Sequence, residues 1–270
     1  MSPIIQNAAL RSAAIDAVYV PFRVKKSELK NAIQGLRSLS VKGFNVTAPH
    51  KVKIIQYLNR LDSTAEEIGS VNTVLNKNGS LRGYSTDGSG ALKALEEVCA
   101  PLEGQSLLIF GAGGASRAIA HTLTPRVKSL RLVNRTLTHA KQLERRLRQR
   151  FRTAITSTAL SGRNLRHLVE EADVIINATS MGMRRKDDLP IGEGWLRKDQ
   201  WIFDIVYDPL ETNLLKLAGQ AGAKTVSGLD MLLNQGAASF ELWTGRKAPV
   251  LEMRRAIAGK LLVTTHAESS

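Results

Sequence analysis

The sequence predicts an α/β protein of two domains, the second built on a doubly wound parallel sheet. From residue 106 onward, short apolar, β-branched runs ("SLLIF", "LRLVN", "RTAITS", "DVIINATS", "QWIFDIVY") alternate with helical patterns. That alternation is the mark of parallel strands joined by crossover helices. Before residue 90 the pattern differs, with a hairpin signal set among short helices. The length of 270 residues accommodates two domains of ordinary size.

Taken in order, helical patterns at 3–14 and 27–39 flank an extended piece at 17–24. In "GFNVTAPHK", residues 43–51, Phe44 and Val46 face one side and Asn45 and Thr47 the other, a short strand that Pro49 stops. A helix over 51–58 would then hold Lys51 in its first turn, at the positive end of the helix dipole. A cation there is poorly placed for stability alone, so Lys51 is either a solvated turn residue or a lysine kept for chemistry. A helix near 63–68 follows. The stretch "VNTVLNKNGSLRGYSTDG", 71–88, reads as two strands around an Asn-Gly turn, and a helix spans 89–98.

After the alternating region, with helices expected near 164–171 and 212–221, come two helices at 228–245 and 250–262 that should return to the first domain. The final "VTTHAESS" is expected to fray. The domains are therefore 1–87 with 228–270, and 88–227. The helices starting near 89 and 229 would connect them and act as hinges.

Composition narrows the function classes. Hydrophobic residues make up 43% of the chain, and no apolar run approaches the roughly 18–20 residues of a membrane span. There is no signal-peptide pattern at the start, so a cytoplasmic location is expected. The single cysteine, Cys99, reads as a small core residue. A net charge of +14 suits nucleic acid, a membrane surface or anionic small molecules. Its densest run is "KQLERRLRQRFR", 141–152, where Leu143 and Leu147 stand four apart, so an amphipathic helix with a solvated basic face is expected. With no helix-turn-helix spacing, no metal-ligand pattern and few aromatics, neither nucleic acid nor membrane is an expected partner.

The strongest local signal is "LLIFGAGGAS", a buried strand running into glycines and then a helix. Gly111 permits the tight turn, and Gly113 lets the backbone approach a pyrophosphate seated on the helix N-terminus. Ser116 takes the place of the usual third glycine, with Gly114 in addition. At the end of the next strand an NAD enzyme places an acidic residue on the ribose hydroxyls. Here the chain has "VNRT", and Asn134, Arg135 and Thr136 suit a 2′-phosphate, pointing to NADP.

With "NVTAPHK", "VNT", "STDG", "FGAGGAS", "NRT", "INATSMGM" and "MLLNQ" in this order, the chain closely resembles the shikimate dehydrogenases from residue 2 to about 262. The resemblance implies a reversible NADPH-dependent reduction of 3-dehydroshikimate to shikimate, on the route to chorismate and the aromatic amino acids. It implies Lys51 and Asp87 as the catalytic pair, Lys51 as acid/base and Asp87 as its partner and orienter. By matching motif positions, Ser2, Thr47, Asn72, Asp87, Tyr207 and Gln235 would bond the substrate's carboxylate and hydroxyls. Gly111, Ala112, Gly113, Gly114, Ala115, Asn134, Arg135, Thr136, Ile205 and Gly228 would hold NADP, and Asn177 to Ser180 would line the cleft near it. The oligomeric state, monomer or homodimer, stays open.

The chain departs from the family pattern at three places. His139 stands where the family has a second phosphate-binding arginine, with Lys141 two residues on, which would soften the NADP preference. Ser85 replaces an asparagine before "TDG". The family's opening "GxPxxHSxSP", carrying its first strand and first substrate serine, is missing ahead of "MSP", as expected if an internal Met was taken as the start. A quinate/shikimate dehydrogenase is the alternative within enzymes. A non-catalytic ligand-binding paralogue is the alternative outside them.

Overall fold

An Asn-Gly corner and period-two alternation build the first sheet. In the computed structural model, which describes residues 1–98, 101–162, 164–184 and 188–268, strands β3 (Thr73–Lys77) and β4 (Ser80–Tyr84) form an antiparallel hairpin. Asn78 and Gly79 turn it with φ of 53° and 82°, the left-handed pair that a two-residue hairpin turn requires. β1 (Gly43–Asn45) pairs antiparallel with β3, and β2 (Arg60–Leu61) runs parallel to β4, giving the order β1-β3-β4-β2. Against this sheet pack Leu29 and Ile33 of α2 (Leu29–Ser38), Ala65 of α3 (Ser63–Ile68), and Val46, Ile54, Val71, Val74 and Leu81. With α1 (Ser2–Ser12) and the later residues 232–270, these elements make one compact unit, Met1–Glu66, Val71–Thr86 and Leu232–Ser270.

Two expectations fail in this unit. Residues 51–58 are not an α-helix: a 3-10 helix covers Lys53–Tyr57, and Lys51 lies in the turn before it. The Lys51 carbonyl accepts from the Val71 N–H at 2.8 Å and is lost to a helical ladder, while buried Ile54 anchors the turn. The dipole argument for Lys51 goes with that helix. At the far end, α10 (Val250–Glu268) continues past residue 262 to Glu268 instead of fraying.

The second unit, Glu67–Ser70 with Asp87–Met231, holds six parallel strands. They are β5 (Ser106–Phe110), β6 (Ser129–Asn134), β7 (Ala154–Ala159), β8 (Val174–Asn177), β9 (Trp201–Asp204) and β10 (Lys224–Ser227), in the order β10-β9-β8-β5-β6-β7. Alternate residues of β5 separate into two cores. Leu107 and Ile109 pack with α4 (Asp87–Glu96), α5 (Gly114–Leu123) and α6 (Leu137–Arg148). Leu108 and Phe110 pack with α7 (Leu165–Glu171) and α8 (Asn213–Gln220). Each such buried side chain contributes about 2 kcal/mol. Helices on both faces and a reversal of strand order between β5 and β8 make this a Rossmann-type doubly wound sheet, whose switch point lies at that reversal. The chain is thus an α/β protein of two units, with α9 (Gly228–Thr244) running from the second into the first.

α6 is the amphipathic helix that its leucines predict, with Ala140, Leu143 and Leu147 buried. Several of the basic residues in that run have partners inside the unit. Arg146 Nε donates to the Glu67 carbonyl at 2.7 Å, Arg150 pairs with the Glu67 carboxylate, and Arg148 pairs with Glu144 at 2.9 Å. Cys99 lies outside the described residues. Among the described residues no helix is long and apolar enough to cross a membrane.

Candidate active site

In the second unit the glycine turn closes on the switch point. Gly111 has φ of +116°, and a Cβ there would lie 2.5 Å from Ser116 Oγ and 3.0 Å from the Ala178 carbonyl, so only glycine fits. Ser116 is buried and donates to that same carbonyl at 3.1 Å, joining the start of α5 to the end of β8. Gly113 differs: it is the N-cap of α5 with ordinary φ, and nothing lies within 4 Å of where its Cβ would stand. No protein atom demands glycine at 113, and the open space lies where a phosphate would meet the first-turn N–H groups. Gly114 and Ala115 begin α5, and Ala112 is buried between the two glycines. The donor set therefore fits a pyrophosphate.

One strand over, β6 ends at Asn134, whose Nδ2 donates to the Thr136 carbonyl at 2.9 Å and shapes the corner. Arg135 and Thr136 are exposed there, with Arg135 in no ion pair among the described residues. Exposed His139 and Lys141 follow on α6. At the other side of the switch point, Ile205 and Gly228 are neighbours: a Cβ on Gly228 would lie 2.5 Å from the Ile205 carbonyl oxygen. Tyr207 is half-buried beyond β9, and its phenol pKa is raised, chiefly by burial and then by Asp208. Asp87 is buried at the first position of α4, where the helix dipole favours a carboxylate.

In the first unit, Asn72 and Gln235 meet. Asn72 Nδ2 donates to Gln235 Oε1 at 3.1 Å and to Thr86 Oγ1 at 2.9 Å, while Asn72 Oδ1 accepts from the Thr86 N–H at 2.7 Å. Behind them stand Thr73 and Ser239, with hydroxyls 2.8 Å apart, and Asn45 Nδ2 donates to Ser239 at 3.1 Å. Tyr19 closes the chain by donating to Asn45 Oδ1 at 3.0 Å. These hydrogen bonds fix the amide orientations of Asn72 and Asn45. Lys51 is half-buried and Thr47 exposed, on the turn after β1, and Ser2 is half-buried at the first position of α1. Ser85, the departure before "TDG", has a buried hydroxyl with no hydrogen-bond partner among the described residues.

Sequence reasoning missed the supporting side chains Asn45, Thr73, Thr86 and Ser239 in the first unit, and Asp204 and Thr212 in the second. One signal was available. Gln235 and Ser239 are four apart on a helix and share a face.

Three family models cover most of the chain. These are the shikimate dehydrogenase substrate-binding domain over residues 1–74, shikimate/quinate 5-dehydrogenase over 93–192, and the shikimate 5′-dehydrogenase C-terminal domain over 228–258. The NADP(+) shikimate dehydrogenase of Moorella thermoacetica is 45% identical over 95% of this chain and 88% of its own length. Among solved structures, shikimate 5-dehydrogenase from Listeria monocytogenes, in complex with shikimate and NAD, is 34% identical with a TM-score of 0.84, covering 95% of this chain and 91% of that one. Quinate dehydrogenase from Corynebacterium glutamicum, in complex with NAD, is 29% identical with a TM-score of 0.84, over 96% of this chain and 94% of that one. The motifs in their order, the doubly wound unit with its glycine turn, and likeness over nearly the full length lead to one conclusion: this chain belongs to the shikimate dehydrogenase family of oxidoreductases.

Proposed function

We propose that the chain catalyses the reversible NADPH-dependent reduction of 3-dehydroshikimate to shikimate. The observation that carries this reading is the full-length likeness to a relative named as an NADP(+) shikimate dehydrogenase. The open space at Gly113 and the exposed "NRT" corner support a dinucleotide with a 2′-phosphate. When bound there, NADPH supplies a hydride to the substrate ketone. The alkoxide that forms must gain a proton, and Lys51 is the group that gives it. Asp87 orients the lysine and the hydroxyl it serves. Asn72 and Gln235, with Thr47, Ser2 and Tyr207, bond the hydroxyls and carboxylate of the substrate. Arg135 takes the 2′-phosphate, and Ile205 and Gly228 stand beside the nicotinamide.

Absorbance at 340 nm during shikimate oxidation tests this, with quinate and NAD as parallel controls. We expect activity with shikimate and NADP that Lys51→Ala lowers by about 10²–10⁴-fold, the usual contribution of a general acid/base. Preference for quinate and NAD in the wild-type chain would shift the assignment to the quinate dehydrogenase activity of that structural neighbour. A folded chain that binds NADPH and turns over neither substrate would overturn the enzymatic reading.

A further inference from the structure

Asn177 and Asp204 are the last residues of β8 and β9, and they stand opposite one another in the parallel ladder. Each closes its own strand end by accepting a backbone N–H from two residues on. Thr179 N–H donates to Asn177 Oδ1 at 3.1 Å, and Val206 N–H donates to Asp204 Oδ1 at 3.0 Å. Such Asx turns set the direction in which a chain leaves a strand. Here the two turns are also tied together. Asn177 Nδ2 donates to Asp204 Oδ1 at 2.9 Å and to the Met181 carbonyl at 2.9 Å, and Thr212 Oγ1 donates to Asp204 Oδ2 at 2.7 Å. Thr212 is the N-cap of α8, accepting from the Leu215 N–H at 3.3 Å.

Asp204 is fully buried, and the charge acting on it among the described residues is Asp188, of the same sign. Hydrogen bonds compensate its burial, three of them from three segments. A buried carboxylate costs free energy that its hydrogen bonds offset. What the carboxylate does is fix two loops with one atom: 177–181 after β8 and 205–207 after β9. Those loops carry Ile205 and Tyr207, placed at nicotinamide and substrate by the proposed function, and Asn177 to Ser180, which the family resemblance puts along the cleft near the cofactor.

We propose that Asp204 is a positioning residue whose carboxylate clasps the loops after β8 and β9, holding 178–181 and 205–207 in the single arrangement that the dinucleotide and substrate require. Asp204 touches neither ligand. It acts through Asn177 and through the Val206 amide. The functional part of this inference rests on the dehydrogenase reading, whereas the clasp itself does not.

The test uses the full chain and two variants. Asp204→Ala removes every acceptor. Asp204→Asn keeps an Oδ1 for Asn177 and Val206 and gives up only the acceptor facing Thr212. Three readouts apply: amide hydrogen exchange at Thr179 and Val206, NADPH binding by its fluorescence, and kcat and KM for shikimate oxidation. We expect both amides to be protected at least about 100-fold in the wild-type protein and to lose that protection in Asp204→Ala, Val206 because its bond to the carboxylate is gone and Thr179 because its acceptor, the Asn177 amide, is no longer held by Asp204. NADPH affinity should fall about tenfold or more in Asp204→Ala and by less than about threefold in Asp204→Asn, a rescue that general destabilisation does not produce. Should Asp204→Ala fail to fold, the wild-type exchange still decides the clasp, and Asp204→Ser, which loses most of the acceptor set in a smaller change, takes its place in the NADPH and kinetic readouts with the same expected loss and the same overturning result. Unprotected amides at Thr179 and Val206 in the wild-type protein would overturn the clasp. Equal NADPH affinity and equal kcat/KM in all three proteins would overturn the positioning role. A wild-type chain that neither binds NADPH nor oxidises shikimate, yet shows the clasp in exchange, would fail the dehydrogenase reading and leave the clasp supported.

Discussion

A carboxylate in a dry core is an expensive residue, and Asp204 shows the cost in its titration. Its pKa is raised to about 6, first by desolvation, against the hydrogen bonds of Thr212, Val206 and Asn177, with Asp188 adding to the rise. Because the folded value lies above the ordinary 3.8, the native state holds this proton more tightly than the unfolded chain does. The group's contribution to stability is therefore full below pH ~3.8 and is lost as pH rises through ~6. Asp204→Asn has no such dependence. Denaturant titrations of the two proteins at pH ~4.5 and ~8 should show the variant gaining about 2 kcal/mol on the wild type across that range. A constant gap would mean that Asp204 does not titrate with a raised pKa. Asn72 is a residue of another kind, neutral and held by Thr86 and Gln235, so its orientation costs no buried charge.

At the scale of elements, the turn between β5 and α5 holds two glycines of different kinds. Gly111 is required by the fold, through its φ of +116° and its contact with Ser116 and Ala178. Gly113 is not, since its surroundings are open and its φ is −81°. Gly111→Ala should therefore cost about 1–3 kcal/mol of stability, the strain of a left-handed position with a clash added. Gly113→Ala should cost under about 1 kcal/mol, the difference between glycine and alanine at an N-cap, while raising KM for NADP about tenfold or more. Thermal melts with cofactor titrations check both. A Gly113→Ala protein with unchanged KM would remove the pyrophosphate from that helix end. The turn carrying Lys51 teaches the converse lesson. Its helical periodicity is real, yet the Lys51 carbonyl bonds to Val71, and the segment tightens to 3-10 geometry.

For the whole molecule, the +14 charge asks for a partner, and part of it, on and just after α6, is engaged within its own unit. Arg146 and Arg150 grip Glu67, and Arg148 pairs with Glu144, so much of the basic run is engaged within its own unit. The remaining positive field suits small anions, and both proposed ligands are anionic. We expect kcat/KM for shikimate to fall severalfold between about 20 and 300 mM salt, as screening shortens the reach of that field. Rates independent of ionic strength would leave the charge unexplained by catalysis.

By itself the sequence determined the two-unit α/β plan, because strand alternation, the Asn-Gly corner and the glycine turn are local patterns written in adjacent residues. It also supplied the motifs, from "NVTAPHK" to "MLLNQ", whose order along the chain marks the family. Tertiary structure alone decided what stands behind them. Asn45, Thr73 and Ser239 meet Asn72 only when β1, β3 and α9 come together, over separations of up to 194 residues. Asp204 and Asn177 become partners only because β8 and β9 are neighbours in the sheet. Strand order and buried polar pairing are properties of packing, and no single stretch of chain encodes them.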